Sequence, residues 1–157
     1  MIIVEDKRLD IFKVDCQTLV CPVNKVGVMG NGLAYAFREK FDGLYPAYQR
    51  ACQFGVFSSN GLFLFDHKDD KKVLCFPTKN HWKVRSPLSL IDHGLERLAD
   101  NYGKMGITSI AIPGLGCGKG QRGKNNGSEP FQWSDVRSLI YEYLDPLPLK
   151  VTLIPPY

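Results

Sequence analysis

Twice in this chain an apolar run of strand length breaks directly into glycine. Thr18–Val23 leads into Asn24-Lys25-Val26-Gly27-Val28-Met29-Gly30-Asn31-Gly32, and the run ITSIAIP leads through Pro113 into Gly114-Leu115-Gly116-Cys117-Gly118-Lys119-Gly120. Glycine lets the backbone take positive φ and come close to a ligand. The first loop runs straight into a helix at Leu33, whose unpaired N–H groups and positive dipole end suit a phosphate. In the second, glycines at alternate positions can form a nest of N–H groups for an anion. The spacing is neither GxGxxG nor GxxxxGK[ST], so neither a dinucleotide fingerprint nor a P-loop is present. Alone, either loop reads first as a tight strand–helix turn. Together, at the ends of strands in an α/β domain, they outline two walls of one diphosphate cleft.

The α/β assignment rests on alternation of short apolar runs with helix-spaced segments. Strands are expected at Ile2–Val4, Leu9–Lys13, Thr18–Val23, Leu62–Asp66, Lys72–Phe76, Ser109–Pro113 and Leu149–Ile154. The polar stretch from Asp66 to Lys71 joins two of them as an antiparallel hairpin, so the sheet should be mixed. Ser86-Pro87 reads as an N-cap with proline at the first helical position. Leu88, Ile91, Leu95 and Leu98 then fall on one helix face. A second helix begins near Ser134 and turns Val136, Leu139, Ile140, Tyr143 and Leu144 inward. Gly32 to Phe41 and Pro46 to Cys52 are shorter helices.

A chain of 157 residues fits one domain, 1–157, with no repeat or linker. No segment approaches the roughly 20 apolar residues that span a bilayer, and the N-terminus lacks a signal-peptide pattern. No membrane association is expected. The five cysteines are odd in number and match no zinc spacing. They read as free thiols in a reducing cytoplasm, with no metal and no cofactor expected. Cys117 alone sits in a glycine loop, and no histidine lies near it in sequence to make it a nucleophile. The net charge of +4 permits an anionic ligand without demonstrating one.

One stretch fits none of this background. After the apolar run KKVLC comes Phe76-Pro77-Thr78-Lys79-Asn80-His81-Trp82, a strand expected to end in Pro-Thr and then present a lysine. A lysine at a strand end is ordinarily where solvent begins.

The stretches LVCPVNKVGVMGNGLAYAF, FPTKNHW and IAIPGLGCGKG, with Leu9-Asp10-Ile11 and the helix after Ser86, resemble the macrodomain family, the ADP-ribose-binding fold. Within it they are most similar to the macrodomains of DNA ADP-ribosyl glycohydrolase antitoxins, the DarG-like branch. The resemblance implies a three-layer α/β/α sandwich around a central mixed β-sheet. It implies that Asp10 and Ile11 read adenine, and that Asn24 with Gly27, Val28, Met29, Gly30 and Gly32 wraps the distal ribose. Gly114, Leu115, Gly116, Cys117, Gly118 and Lys119 are then the diphosphate cradle. Lys79 falls on the catalytic lysine of that branch, with His81 and Trp82 behind it.

The chemistry stands beside the resemblance. C1″ of a ribose is a masked aldehyde, and an amine of lowered pKa can add to it; a lysine can also move a proton at the leaving atom. His81 could assist, although a lone histidine beside a tryptophan is more often structural. Trp82 packs, or offers a platform to the target base.

Two departures from the family matter. Gly120 stands where relatives that act on acidic side chains carry an aspartate, which favours the DNA-directed branch. The segment from Gln121 to Gln132 is long, and its Arg122 and Lys124, with Lys119 before them, could touch nucleic-acid phosphates; otherwise it is a solvated loop. DarG antitoxins carry a further C-terminal region that engages the toxin. This chain ends at Tyr157, as a stand-alone or excised macrodomain, so enzymatic reversal is expected and not contact with a toxin.

The expectation is therefore a cytoplasmic, monomeric ADP-ribosyl glycohydrolase whose partners are ADP-ribose and ADP-ribosylated thymidine in single-stranded DNA. The alternatives are a hydrolase of ADP-ribose 1″-phosphate, acyl esters or protein-linked ADP-ribose, and a non-catalytic reader.

Overall fold

In the computed structural model, which describes residues 3–30, 32–67 and 71–156 and only the backbone of 119 and 120, a six-stranded sheet lies between two helical layers. The strands are β1 (Ile3–Glu5), β2 (Thr18–Asn24), β3 (Phe63–Asp66), β4 (Lys72–Lys79), β5 (Ser109–Pro113) and β6 (Lys150–Ile154). Their spatial order is β1-β6-β5-β2-β4-β3, with every pairing parallel except the β3–β4 hairpin. The helices are α1 (Gly32–Lys40), α2 (Leu44–Gln53), α3 (Leu88–Asn101) and α4 (Trp133–Leu144).

Period-two alternation along the central strands builds two cores. Leu19, Cys21, Val73 and Cys75 pack with Phe37 of α1 and Leu44 and Tyr48 of α2. Their neighbours Val20, Leu74, Phe76, Ile110 and Ile112 point the other way, onto Ile91, Leu95, Val136 and Ile140 of α3 and α4. Burial on both faces is why these strands read as unbroken apolar runs. Strand β2 pairs with β4 on one side and β5 on the other. The connection after β2 runs towards β4 and that after β5 towards β6, in opposite directions, which opens a crevice between the C-terminal ends of the two strands.

Several expectations needed correction. Leu9–Lys13 is a turn, because the Asp10 carboxylate accepts from Phe12 N (2.9 Å) and the Asp10 carbonyl from Lys13 N (2.9 Å). An Asx-type turn of this kind competes with a strand wherever a short polar side chain can reach the backbone. Strand β4 continues through Pro77 and Thr78 to Lys79 instead of stopping at Phe76. Pro77 is tolerated because β3 is registered only against Lys72 to Cys75, and an irregularity on the β2 side sets Asn24 opposite Lys79. At α3 the cap is Pro87 itself, and the buried Ser86 hydroxyl caps nothing. Helix α4 opens one residue early, on a Gln132–Asp135 capping box. The hairpin is confirmed, while residues 68–70 of its turn, like Ile2, lie outside the described residues. Among the described residues no helix is long and apolar enough to cross a membrane.

Candidate active site

The crevice at the C-terminal ends of β2, β4 and β5 is a cleft of about 1140 Å³. Both glycine loops enter it: Val28, Gly30 and Gly32 from the first, Gly114, Gly116 and Cys117 from the second. Lys79, Trp82, Lys83, Arg122 and Lys124 form the remaining wall. No carboxylate lines the cleft among the described residues, so its field favours an anion. Nor does any group of three or more metal-ligating side chains occur among them.

The first loop is held by Asn24. Its Oδ1 accepts from Val26 N (3.0 Å) and Val28 N (3.3 Å), and its Nδ2 donates to the Val28 carbonyl (2.8 Å). The buried Tyr48 hydroxyl lies 2.7 Å from the Asn24 carbonyl and 2.9 Å from Oδ1, sharing one proton between them. The Asn24 amide keeps one N–H without a partner among the described residues, in a side chain that lines the cleft. Met29 is fully buried in the core of the α1–α2 layer. It anchors the loop from beneath and, against expectation, is not among the residues that line the cleft. The first turn of α1 reaches the cleft at Gly32, Leu33 and Ala34, a helix start of the kind that suits an anion.

The second loop is tied from beneath. Gly116 takes φ +70°, and its carbonyl accepts from Gln121 Nε2 (2.9 Å), whose Oε1 accepts from Phe131 N (3.2 Å). Leu115 is buried in the core under the loop. Burial and the nearby Asp135 push the Cys117 thiol up to about 11. A thiol that holds its proton this firmly is a poor nucleophile.

Lys79 closes the cleft at the end of β4. Its Nζ donates to the carbonyls of Trp82 (3.4 Å) and Arg122 (3.3 Å), while partial burial holds its pKa below the ordinary lysine value. It takes part in none of the ion pairs found among the described residues. The Arg122 carbonyl is there because segment 121–127 is zipped onto 81–86. Lys124 N donates to the Lys83 carbonyl (2.8 Å), Arg85 N to the Lys124 carbonyl (3.2 Å), and Asn126 Nδ2 to the Arg85 carbonyl (3.0 Å). The segment read either as a solvated loop or as a contact for nucleic-acid phosphates is exposed from Arg122 to Gly127, and it is tied to segment 81–86 as a strap. Its tight point is Gly123, at φ +110°, where a Cβ would stand 2.5 Å from the Lys83 carbonyl oxygen. Gly123→Ala is expected to part the strap from Lys83. A forced shift of about 1–3 kcal/mol should lower hydrogen-exchange protection of the Lys124 amide by roughly tenfold or more. Unchanged protection would mean that the strap is not held at this point.

Some expected site residues lie elsewhere. Asp10 and Ile11 do not line the cleft; the carboxylate is engaged by Phe12 N, and Ile11 is buried in the core. Gly27, at φ +89°, and Gly118, at φ +64°, shape their loops from outside the lining. His81 also stands outside it, its Nδ1 accepting from Lys83 N (3.1 Å) and its ring beside Trp82. That bond makes His81 a turn-former rather than a proton carrier at the cleft. The Lys119 side chain lies outside the described residues, its backbone in a 3-10 turn over Gly118–Gln121. Two contributors went unrecognised in the sequence. Lys83 could have been found from the basic run behind Trp82, whereas nothing local marks Tyr48.

Comparison with known proteins follows the same outline. The family model described as Macro domain matches residues 20–127. The chain is 33% identical over 151 residues to a DNA ADP-ribosyl glycohydrolase of Mycobacterium tuberculosis, covering 94% of this chain and 40% of that protein. It thus spans about two-fifths of the length of the curated relatives it matches. Among solved structures it is similar to the macrodomain of M. tuberculosis DarG, at 32% identity and TM-score 0.87 with 99% of both chains covered. It is also similar to Thermosipho africanus DarTG in complex with ADP-ribose, at 36% identity and TM-score 0.82, covering 94% of this chain and 40% of that one.

Proposed function

We propose that this chain, which belongs to the Macro domain family, binds ADP-ribose and acts as a glycohydrolase that removes it from thymidine in single-stranded DNA. The observation that supports this best is the placement of one partly buried amine, Lys79, in the same cleft as two glycine loops. The similarity to proteins named DNA ADP-ribosyl glycohydrolase points the same way.

The loops and the first turn of α1 offer main-chain N–H groups to the diphosphate. Asn24, with one N–H to spare, meets the distal ribose. That brings C1″ towards Lys79, at the end of the strand that pairs with Asn24. Two routes are open to an amine there. As a nucleophile, neutral Nζ adds to C1″ while the bond from C1″ to the base nitrogen breaks and the base takes up a proton. Water then releases the sugar from the ring-opened imine and restores the lysine. As a general acid, the ammonium gives its proton to the departing base nitrogen and water attacks C1″.

The test is a substrate panel: ADP-ribosylated thymidine oligonucleotide, ADP-ribosylated protein and ADP-ribose 1″-phosphate, each with the wild-type chain. The oligonucleotide should be cleared fastest. Clearance of the protein or the 1″-phosphate with the oligonucleotide untouched would overturn the DNA assignment. If nothing turns over while ADP-ribose raises the melting temperature, the chain is a reader.

A further inference from the structure

The positive charge of the cleft is gathered beside Lys79. Lys83 belongs to segment 81–86, Arg122 and Lys124 to the strap zipped onto it, and all three line the cleft. None takes part in the ion pairs found among the described residues. Like charges collected on one wall without a carboxylate repel one another, and solvent screens this only partly. Next to them Trp82 is 49% exposed, with the Lys83 ammonium 5.0 Å from its ring centroid. Packing alone does not account for a half-exposed indole at the mouth of a cleft.

Position gives this wall its meaning. If C1″ of ADP-ribose is attacked at Lys79, the leaving group departs on the Lys79 side, past these residues. A free ADP-ribose derivative has nothing to offer there, and a peptide brings no regular anion. A nucleotide within a strand brings a phosphate on each side of the modified base and flat bases beyond.

We propose that Trp82, Lys83, Arg122 and Lys124 form a binding wall for the single strand that flanks the modified nucleotide. The three cations take successive phosphates and Trp82 stacks a neighbouring base. This rests on the hydrolase reading of the cleft, and it adds the residues that would recognise a polynucleotide over a mononucleoside. The strap positions the wall: without the Lys124–Lys83 pairing, Arg122 and Lys124 would not reach the cleft.

The experiment uses fluorescence anisotropy of an unmodified oligothymidine with the whole chain, over a range of salt. Three phosphate contacts predict a log–log salt slope of about −2 for a single strand. The combined Lys83→Gln, Arg122→Gln, Lys124→Gln variant should flatten it towards zero. Trp82→Ala should weaken binding roughly five- to hundredfold. The kcat/KM of the cationic-wall variant should fall further on an ADP-ribosylated oligonucleotide than on an ADP-ribosylated mononucleoside. An unchanged slope, an equal fall on both substrates, or equally tight binding of a polyglutamate peptide or a duplex would each overturn the wall. If the wild type turns over neither substrate, the hydrolase reading fails, and the anisotropy series still decides the wall.

Discussion

Lys79→Ala is expected to abolish clearance of an ADP-ribosylated thymidine oligonucleotide, lowering kcat by a factor on the order of 10² to 10⁴, the range lost with a single proton-transfer group. Thermal stabilisation by ADP-ribose should persist, because the proposed reading gives the diphosphate to the loops at Gly30 and Gly116 and not to the amine. A variant that turns over as fast as wild type would falsify the assignment of Lys79. The pH profile separates the two chemical roles. Partial burial lowers the Lys79 pKa, so a neutral nucleophile gives a kcat that climbs with pH and levels off below the ordinary lysine range. An ammonium acid gives the opposite limb. Borohydride added during turnover should trap the protein as a covalent adduct only on the nucleophilic route.

The same shift bears on stability. The folded-state pKa lies below the unfolded value, so between the two the unfolded chain holds more protons and stability rises with pH. Below that window the cost of the partly buried charge is fully present. Lys79→Met is therefore expected to be at least as stable as wild type at pH 7, its advantage closing as pH rises towards the ordinary lysine value. Chemical denaturation at both pH values measures this. A destabilised Met variant at pH 7 would show that the two carbonyl contacts outweigh the lost hydration.

Gly116→Ala is expected to damage both binding and folding, and Gly118→Ala much less. Both glycines have left-handed backbone, at φ +70° and +64°, so both substitutions bear the cost of about 1–2 kcal/mol for a side chain in that region. Their surroundings differ. A Cβ on Gly116 would stand 2.7 Å from Ile91 Cδ1 and 2.8 Å from Phe131 Cζ, whereas one on Gly118 meets nothing within 4 Å. Overpacking adds about 1–3 kcal/mol at Gly116 alone. Relief of that clash moves the loop backbone and breaks its Gln121 tie, so ADP-ribose affinity should drop by about tenfold or more for each 1.4 kcal/mol lost from the cradle. Calorimetric titration and thermal melts of the two variants make the comparison. Equal losses at both positions would mean that backbone conformation, and not the contact with the core, sets the cradle.

How much of this was legible beforehand differs from feature to feature. The glycine loops were visible because positive φ is a local demand that the residue type announces. The strands bearing them were visible because burial on both faces leaves an unbroken apolar run. Leu9–Lys13 misled because its apolar residues suit a strand while Asp10 captures the Phe12 amide instead. The Ser86 cap failed by one residue: Pro87 takes the cap position, and the buried Ser86 hydroxyl has no hydrogen-bond partner among the described residues. His81 and Trp82 looked alike as neighbours of Lys79, yet one is engaged in a turn and the other is open at the cleft.

By itself, then, the sequence determined the α/β class, the two loops that shape the cleft, and the lysine at the end of β4. Those features depend on backbone freedom, periodicity and motif, which are properties of short stretches. Tertiary structure decided what surrounds the lysine: the bulge that sets it against Asn24, the Tyr48 clamp, and the strap that brings Arg122 and Lys124 beside Lys83. Each joins segments far apart in the chain through strand register or a main-chain carbonyl. Every residue carries that same carbonyl, so composition cannot single out the one that meets Lys79.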